Sequence, residues 1–244
     1  MARPTISVVM ATYQGERYVL EQLQSIRPQL TGDDEIVISD DASTDGTARA
    51  IESLQDARIR LRRNAERVGY VHNFERAIAW ARGDWIFFSD QDDVWLPGKV
   101  ESLSAALAHK ACVASDAIVA DEQLRSVRES YFELRGVRGF SAPAIFLRPR
   151  IIGASMAVHR RYLYRYLPFP AGIPHDHWLS LNAALDGELL VLDRALVLYR
   201  RHTDVASATA KGRRALHVVC RERFGLAHAV LRRRYMQPPK EFLR

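Results

Sequence analysis

The chain has 244 residues, 48% of them hydrophobic and 26% charged, and carries a formal net charge of +6. These values fit a globular protein with a sizeable core and exclude collagen-like, low-complexity and disulfide-scaffold chains; the two cysteines, Cys112 and Cys220, lie far apart and suit a reducing compartment. No apolar run approaches the ~20 residues that span a bilayer, and the chain enters its first strand without a signal-peptide core, so a cytoplasmic protein with an anionic partner is expected.

Residues 5–12 form a β-rich run and predict the first strand. Residues 18–30 carry Val19, Leu20, Leu23, Ile26 and Leu30 at helical spacing. Residues 35–39 predict a second strand ending in Asp40-Asp41, and a helix through Leu54 follows, capped by Ser43 or Thr44. Residues 59–61 read as a short strand and 71–81 as a helix. Residues 85–88, Trp-Ile-Phe-Phe, read as a strand buried on both faces. Alternation of strand and helix predicts an α/β fold with a mostly parallel sheet and right-handed crossovers. Beyond it, 99–108 predicts helix, 112–120 strand, 145–156 strand-like pieces around Gly153, and 160–167 helix. Residues 179–185 predict helix, and 189–192 and 196–200 two strands. From 213 to 234 arginines interleave with apolar residues, which predicts one or two basic amphipathic helices. The chain divides at this reading into residues 1–205 and a C-terminal extension, 206–244.

Chemistry concentrates where residues 85–88 run into Asp90, Asp92 and Asp93. The C-terminal ends of parallel strands are where open α/β sheets bind ligands. Two carboxylates ~4 Å apart repel by ~4 kcal/mol at an effective dielectric near 20. A divalent cation on Asp92 or Asp93, bridging to a diphosphate, would offset that, because Mg²⁺ and Mn²⁺ prefer oxygen ligands. A solvated acidic turn is the alternative. Asp40 and Asp41 end a neighbouring strand and suit either a base and ribose or a helix-capping turn. Asp176 follows a proline-rich loop and suits either a general base or an N-cap. His175 and His177 diverge and lack zinc-site spacing. His202 suits a phosphate, a metal or the surface.

These segments together resemble the inverting glycosyltransferases of family 2. The resemblance rests on Ser7-Val8-Val9-Met10-Ala11-Thr12-Tyr13, on Ile38 to Thr47 with its Asp40-Asp41 pair, and on Asn64 to Gly69 with Asn73-Phe74. Phe88-Ser89-Asp90-Gln91-Asp92-Asp93-Val94-Trp95, Gly153 to Met156, His175-Asp176-His177-Trp178 and Tyr199-Arg200-Arg201-His202 complete it. The form Ser-Asp-Gln-Asp-Asp-Val-Trp is most similar to rhamnosyltransferase-type members. The resemblance implies a GT-A, Rossmann-like fold and sugar transfer from a dTDP or UDP donor to a glycan or lipid-linked acceptor, with Mg²⁺ or Mn²⁺. It implies that Thr12, Tyr13, Glu16, Asp40, Asp41, Asn73, Asp90 and Asp92 meet the nucleotide. It implies that Asp92, Asp93 and His202 serve the metal and that Asp176 is the catalytic base. Ala154 departs from the cysteine of many relatives.

A sugar-nucleotide nucleotidyltransferase would share the sheet and acids, but Thr12 to Arg17 is a poor triphosphate loop. A phospho-acceptor receiver leaves Asp90 to Asp93 unexplained. The basic tail admits nucleic acid, yet its apolar interleaving favours contact with an anionic membrane surface, which predicts peripheral association at the inner face of the cell membrane and no nucleic-acid partner.

Overall fold

In the computed structural model, residues 3–201 and 216–235 are described, with side chains from 221 onward in the second stretch. Alternation along the first strand decides the layers. In β1 (Ile6–Thr12), Val9 faces one core and Val8 and Met10 the other, as a strand buried on both faces requires. After it come α1 (Val19–Ile26), continued by a 3-10 turn over Arg27–Gln29, then β2 (Glu35–Asp40), α2 (Thr47–Glu52), β3 (Ile59–Arg63), α3 (Tyr70–Trp80) and β4 (Trp85–Asp90). The chain goes on through β5 (Val94–Trp95), α4 (Lys99–Leu107), β6 (Cys112–Ala120), β7 (Ser126–Arg128), α5 (Tyr131–Leu134) and α6 (Ala142–Leu147). It closes with β8 (Met156–His159), α7 (Arg160–Tyr164), α8 (His175–Leu185), β9 (Leu189–Arg200) and α9 (Leu216–Tyr235).

The strands form one nine-stranded sheet in the order β3-β2-β1-β4-β8-β6-β9-β5, with β7 beside β6. β3, β2, β1 and β4 are parallel. β8 runs against both β4 and β6, while β6 and β9 are parallel to each other. Helices α1, α2 and α4 pack Leu23, Ile51 and Leu103 on one face, together with Phe87 of the sheet. Helices α3, α8 and α9 pack Phe74, Trp178 and Leu226 on the other, with Phe88.

Several sequence expectations change. Residues 145–156 are not strand-like: α6 and a 3-10 turn at Gly153–Ser155 precede β8. The two strands expected over 189–200 are one, β9, whose register against β6 shifts near Asp116. Gly46, not Ser43 or Thr44, occupies the cap position of α2, because the Ser43 hydroxyl is taken by Asp40. Helix α8 starts at His175 rather than 179, with Pro174 before it. The expected 205/206 boundary falls outside the described residues.

Gly83 sets the approach of β4 to β1. Its N–H donates to Ser7 Oγ at 2.7 Å, and a Cβ there would lie 2.5 Å from the Ser7 nitrogen and 2.6 Å from the Ile6 carbonyl carbon. Backbone cannot yield as a flexible side chain does, so Gly83→Ala is expected to cost about 2 kcal/mol or more. Urea unfolding that leaves the midpoint unchanged would refute this.

Candidate active site

Parallel register brings three strand ends to one edge. Thr12 lies beside Asp40, and Ala11 beside Asp90. At the β1–β2 side the polar residues mostly brace one another. Asp40 is fully buried and accepts from the Thr12 hydroxyl at 2.9 Å and from the Ser43 hydroxyl and N–H at 2.6 and 3.0 Å. Asn73, 1% exposed, donates to the Ser39 carbonyl at 2.7 Å and accepts from Asn64 at 2.9 Å. Asp41 accepts from Asn64 Nδ2 and from the Val68 and Gly69 N–H groups, so it fixes the 64–69 loop. The Glu16 carboxylate accepts the Gly46 N–H at 2.9 Å, which holds the entry of α2. Tyr13 and Glu16 are the exposed groups of this set; the Arg67 guanidinium lies 4.0 Å from the Tyr13 ring centre. Gln91 grips the Tyr13 backbone through both its N–H and its carbonyl, at 2.9 and 3.0 Å.

The β4 side is different, because one of its acids, Asp93, keeps an oxygen with no hydrogen-bond partner among the described residues. Asp93 is 1% exposed. Its Oδ1 accepts the Arg200 N–H at 2.9 Å, while Oδ2 is enclosed with no hydrogen-bond partner among the described residues. Burial, then the charges of Asp92 and Asp90, push the Asp93 carboxyl well above the usual carboxylate range. Asp90 is pushed up to about 7 by burial, then by Asp92 and Asp176. Beneath them Lys99 is wholly enclosed. Its ammonium donates to the Ala154 carbonyl and lies 4.1 Å from the Trp95 ring centre. Burial brings Lys99 down to about 7, against the pull of Asp93 and Asp90. Sequence reasoning missed this cation. The signal was present: Lys99, Leu103 and Ala106 follow the buried stripe of α4.

Arg200, 5% exposed at the end of β9, ties the acidic loop down. Its side chain donates to the Asp92 and Glu122 carbonyls, pairs with Glu21 and lies over Tyr18. Arg200 is therefore a clamp on the loop.

Asp176 is the second residue of α8, and its Oδ1 accepts the His177 N–H at 2.7 Å. Its charge is felt by Asp90 and Tyr70, which sets it by the β4 acids although some 80 residues separate them in sequence. His175 next to it is enclosed with both ring nitrogens unpartnered among the described residues, stacked 5.1 Å from Phe88. His177 Nε2 lies 2.8 Å from the Ile145 carbonyl. Neither histidine meets a zinc-like set. His202 lies outside the described residues.

A divalent cation needs hard oxygen donors, and the unpartnered Asp93 Oδ2 is one. No group of three His, Cys, Asp or Glu side chains forms a ready cage among the described residues. That donor set fits an ion such as Mg²⁺, which keeps one or two carboxylates and takes other ligands from phosphates and water.

Residues 7–167 match the family model described as Glycosyl transferase family 2. An uncharacterised protein of Mycobacterium tuberculosis is 29% identical over 208 residues, 81% of this chain and 59% of the relative, so the chain spans little more than half of that protein. The dTDP-rhamnosyl transferase RfbG of Shigella flexneri is 40% identical over 100 residues, 38% of this chain and 35% of its own length. Among solved structures, TarS of S. aureus in complex with UDP-GlcNAc has a TM-score of 0.71 at 20% identity, covering 93% of this chain and 66% of that one. The mannosyltransferase PcManGT of Pyrobaculum calidifontis, in complex with GDP-Man and Mn²⁺, has a TM-score of 0.67 at 22% identity, covering 99% of this chain and 68% of that one. These neighbours share the GT-A fold.

The acids' raised values carry a stability consequence. A carboxyl whose folded value lies above its unfolded value binds more protons in the folded state, so stability falls as pH rises from about 4 through about 7. Without divalent cations, Asp93→Asn should flatten this decline and raise the melting midpoint at pH 8 by a few degrees. Differential scanning calorimetry showing a lower midpoint for the variant at pH 8 would contradict the electrostatic account.

Proposed function

The chain belongs to glycosyl transferase family 2, and from that premise we propose that it transfers a sugar from a nucleoside-diphosphate donor to a hydroxyl of a glycan or lipid-linked acceptor, inverting the anomeric carbon. The observation that carries this reading is the unpartnered, enclosed Asp93 Oδ2 among like charges, with Asp176 near enough for its charge to act on Asp90.

The roles follow from what each group can do. Asp93, with Asp92 beside it and His202 as a further ligand, would hold Mg²⁺ or Mn²⁺. When bound, the ion neutralises charge on the departing diphosphate. Asp176 accepts the proton of the acceptor hydroxyl. The hydroxyl oxygen forms a bond to the anomeric carbon as the carbon–oxygen bond to the diphosphate breaks, and the nucleoside diphosphate leaves with that electron pair. One displacement gives inversion. Tyr13 offers an exposed ring to the base, and Thr12, Asp41 and Asn73 support that pocket from the floor. Asp40 and Glu16 contribute by fixing the loops on either side of Tyr13. Asp90, at the ribose side, is raised by burial and by the charges of Asp92 and Asp176.

The likeness to a dTDP-rhamnosyl transferase supports dTDP-rhamnose as one donor to try, and the UDP-GlcNAc complex of TarS supports UDP-sugars as others. The test is a screen of dTDP-, UDP- and GDP-sugars for Mn²⁺-dependent binding by titration calorimetry, followed by transfer assays. Asp176→Asn should retain donor affinity and lose transfer by roughly 10³-fold or more. Asp93→Ala should weaken Mn²⁺-dependent donor binding at least about tenfold. If the Asp93 variant binds donor as its parent does, the metal assignment is wrong; if Asp176→Asn transfers normally, the base is another group.

A further inference from the structure

No described helix is long and apolar enough to cross a membrane, but α9 has a second way to meet one. One face of α9 is consumed by the fold. Leu226 is 1% exposed in the core that holds Phe74 and Trp178, Ala229 and Val230 pack against it, and Arg234 pairs with Asp186 at 2.8 Å. The opposite face is also apolar. Phe224, Leu231 and Tyr235 are 76%, 54% and 84% exposed. With His228 they recur at spacings of four, three and four residues, which places all of them within about 60° of arc on a helix. The one or two basic amphipathic helices expected over this stretch include α9, which carries two apolar stripes, one buried and one bare.

The borders of the bare stripe identify its occupant. Exposed Arg221 and Arg232 run along one border of it, and Arg232 joins His228, Leu231 and Tyr235 around an open concavity. No acidic side chain of α9 lies on this face; Glu222, the helix's sole acid, is on the half-buried side. Two copies meeting through this face would bring arginines against arginines, which is destabilising. An anionic surface meets the arginines and takes up the apolar side chains at once. Aromatic and aliphatic groups with flanking arginines are the composition of a helix lying in the headgroup layer. We propose that α9 docks the protein flat on an anionic lipid surface through Phe224, Leu231 and Tyr235, with Arg221 and Arg232 on the headgroups. This surface does not depend on the reaction assigned above.

The test is co-sedimentation of the full chain with vesicles of phosphatidylcholine alone or of equal parts phosphatidylcholine and phosphatidylglycerol. The parent should sediment with the mixed vesicles and release as salt rises. Phe224→Ser with Leu231→Ser and Tyr235→Ser changes only exposed side chains and should lower vesicle affinity at least about tenfold, with an unchanged melting midpoint. Arg221→Gln with Arg232→Gln should cost roughly tenfold or more on mixed vesicles alone. The proposal is overturned if the variants sediment like the parent, or if binding ignores lipid charge. It is equally overturned if the serine variant instead converts a dimer to a monomer by light scattering, which would assign the stripe to a second copy. Salt-sensitive retention on DNA that the arginine variant alone loses would assign it to nucleic acid.

Discussion

Carboxylates gathered at the end of a buried strand repel one another, by ~4 kcal/mol for a pair ~4 Å apart at an effective dielectric near 20. Much of the structure around β4 answers that repulsion. Lys99 is buried beneath the cluster, held by the Ala154 carbonyl and the Trp95 ring. The Arg200 N–H takes one oxygen of Asp93, and its guanidinium fastens the loop that carries Asp92. Asp90 and Asp93 still sit above the normal carboxylate range. The remaining imbalance is an excess of negative charge at the end of β4, the edge where three parallel strands end.

This constraint explains why sequence-distant segments are joined as they are. β9 runs beside β6 and then pairs with β5, two residues long, so that Arg200 returns to the acidic loop more than a hundred residues earlier. Helix α4 begins with the lysine that the cluster needs. Helix α8 ends a proline-rich loop and sets Asp176 in its first turn, where the positive end of the helix dipole favours a negative charge. On the far side of β1, Asp40, Asp41 and Asn73 do the opposite work. They spend their hydrogen bonds inside the protein and so make the floor under Tyr13 rigid.

The parts legible in the sequence are those with local signatures. β1, β2 and β4 announce themselves by apolar runs, α1 and α3 by helical spacing, and the clustered acids by their position after a strand. What was illegible depends on partners far along the chain. β5 exists only because β9 lies beside it. α6 occupies a segment whose Ile145 and Phe146 look equally like strand until they pack against the α8 side of the core. The local contacts of Glu16 and Asp40, with the Gly46 N–H and with Ser43, were likewise illegible, because they join loops far apart or depend on the turn that follows β2. In α9 both stripes are apolar, and only packing tells the buried one from the bare one.

The central claim is that Asp93 Oδ2, enclosed among carboxylates with no hydrogen-bond partner among the described residues, is a ligand for a divalent cation. It is tested most directly by anomalous diffraction from crystals grown with Mn²⁺ and a nucleoside diphosphate. The account predicts a manganese peak at coordination distance, ~2.1 Å, from Asp93 Oδ2, with the diphosphate completing the shell. A nucleotide bound at this edge with no manganese peak beside Asp93, or a peak held by other residues, would contradict it.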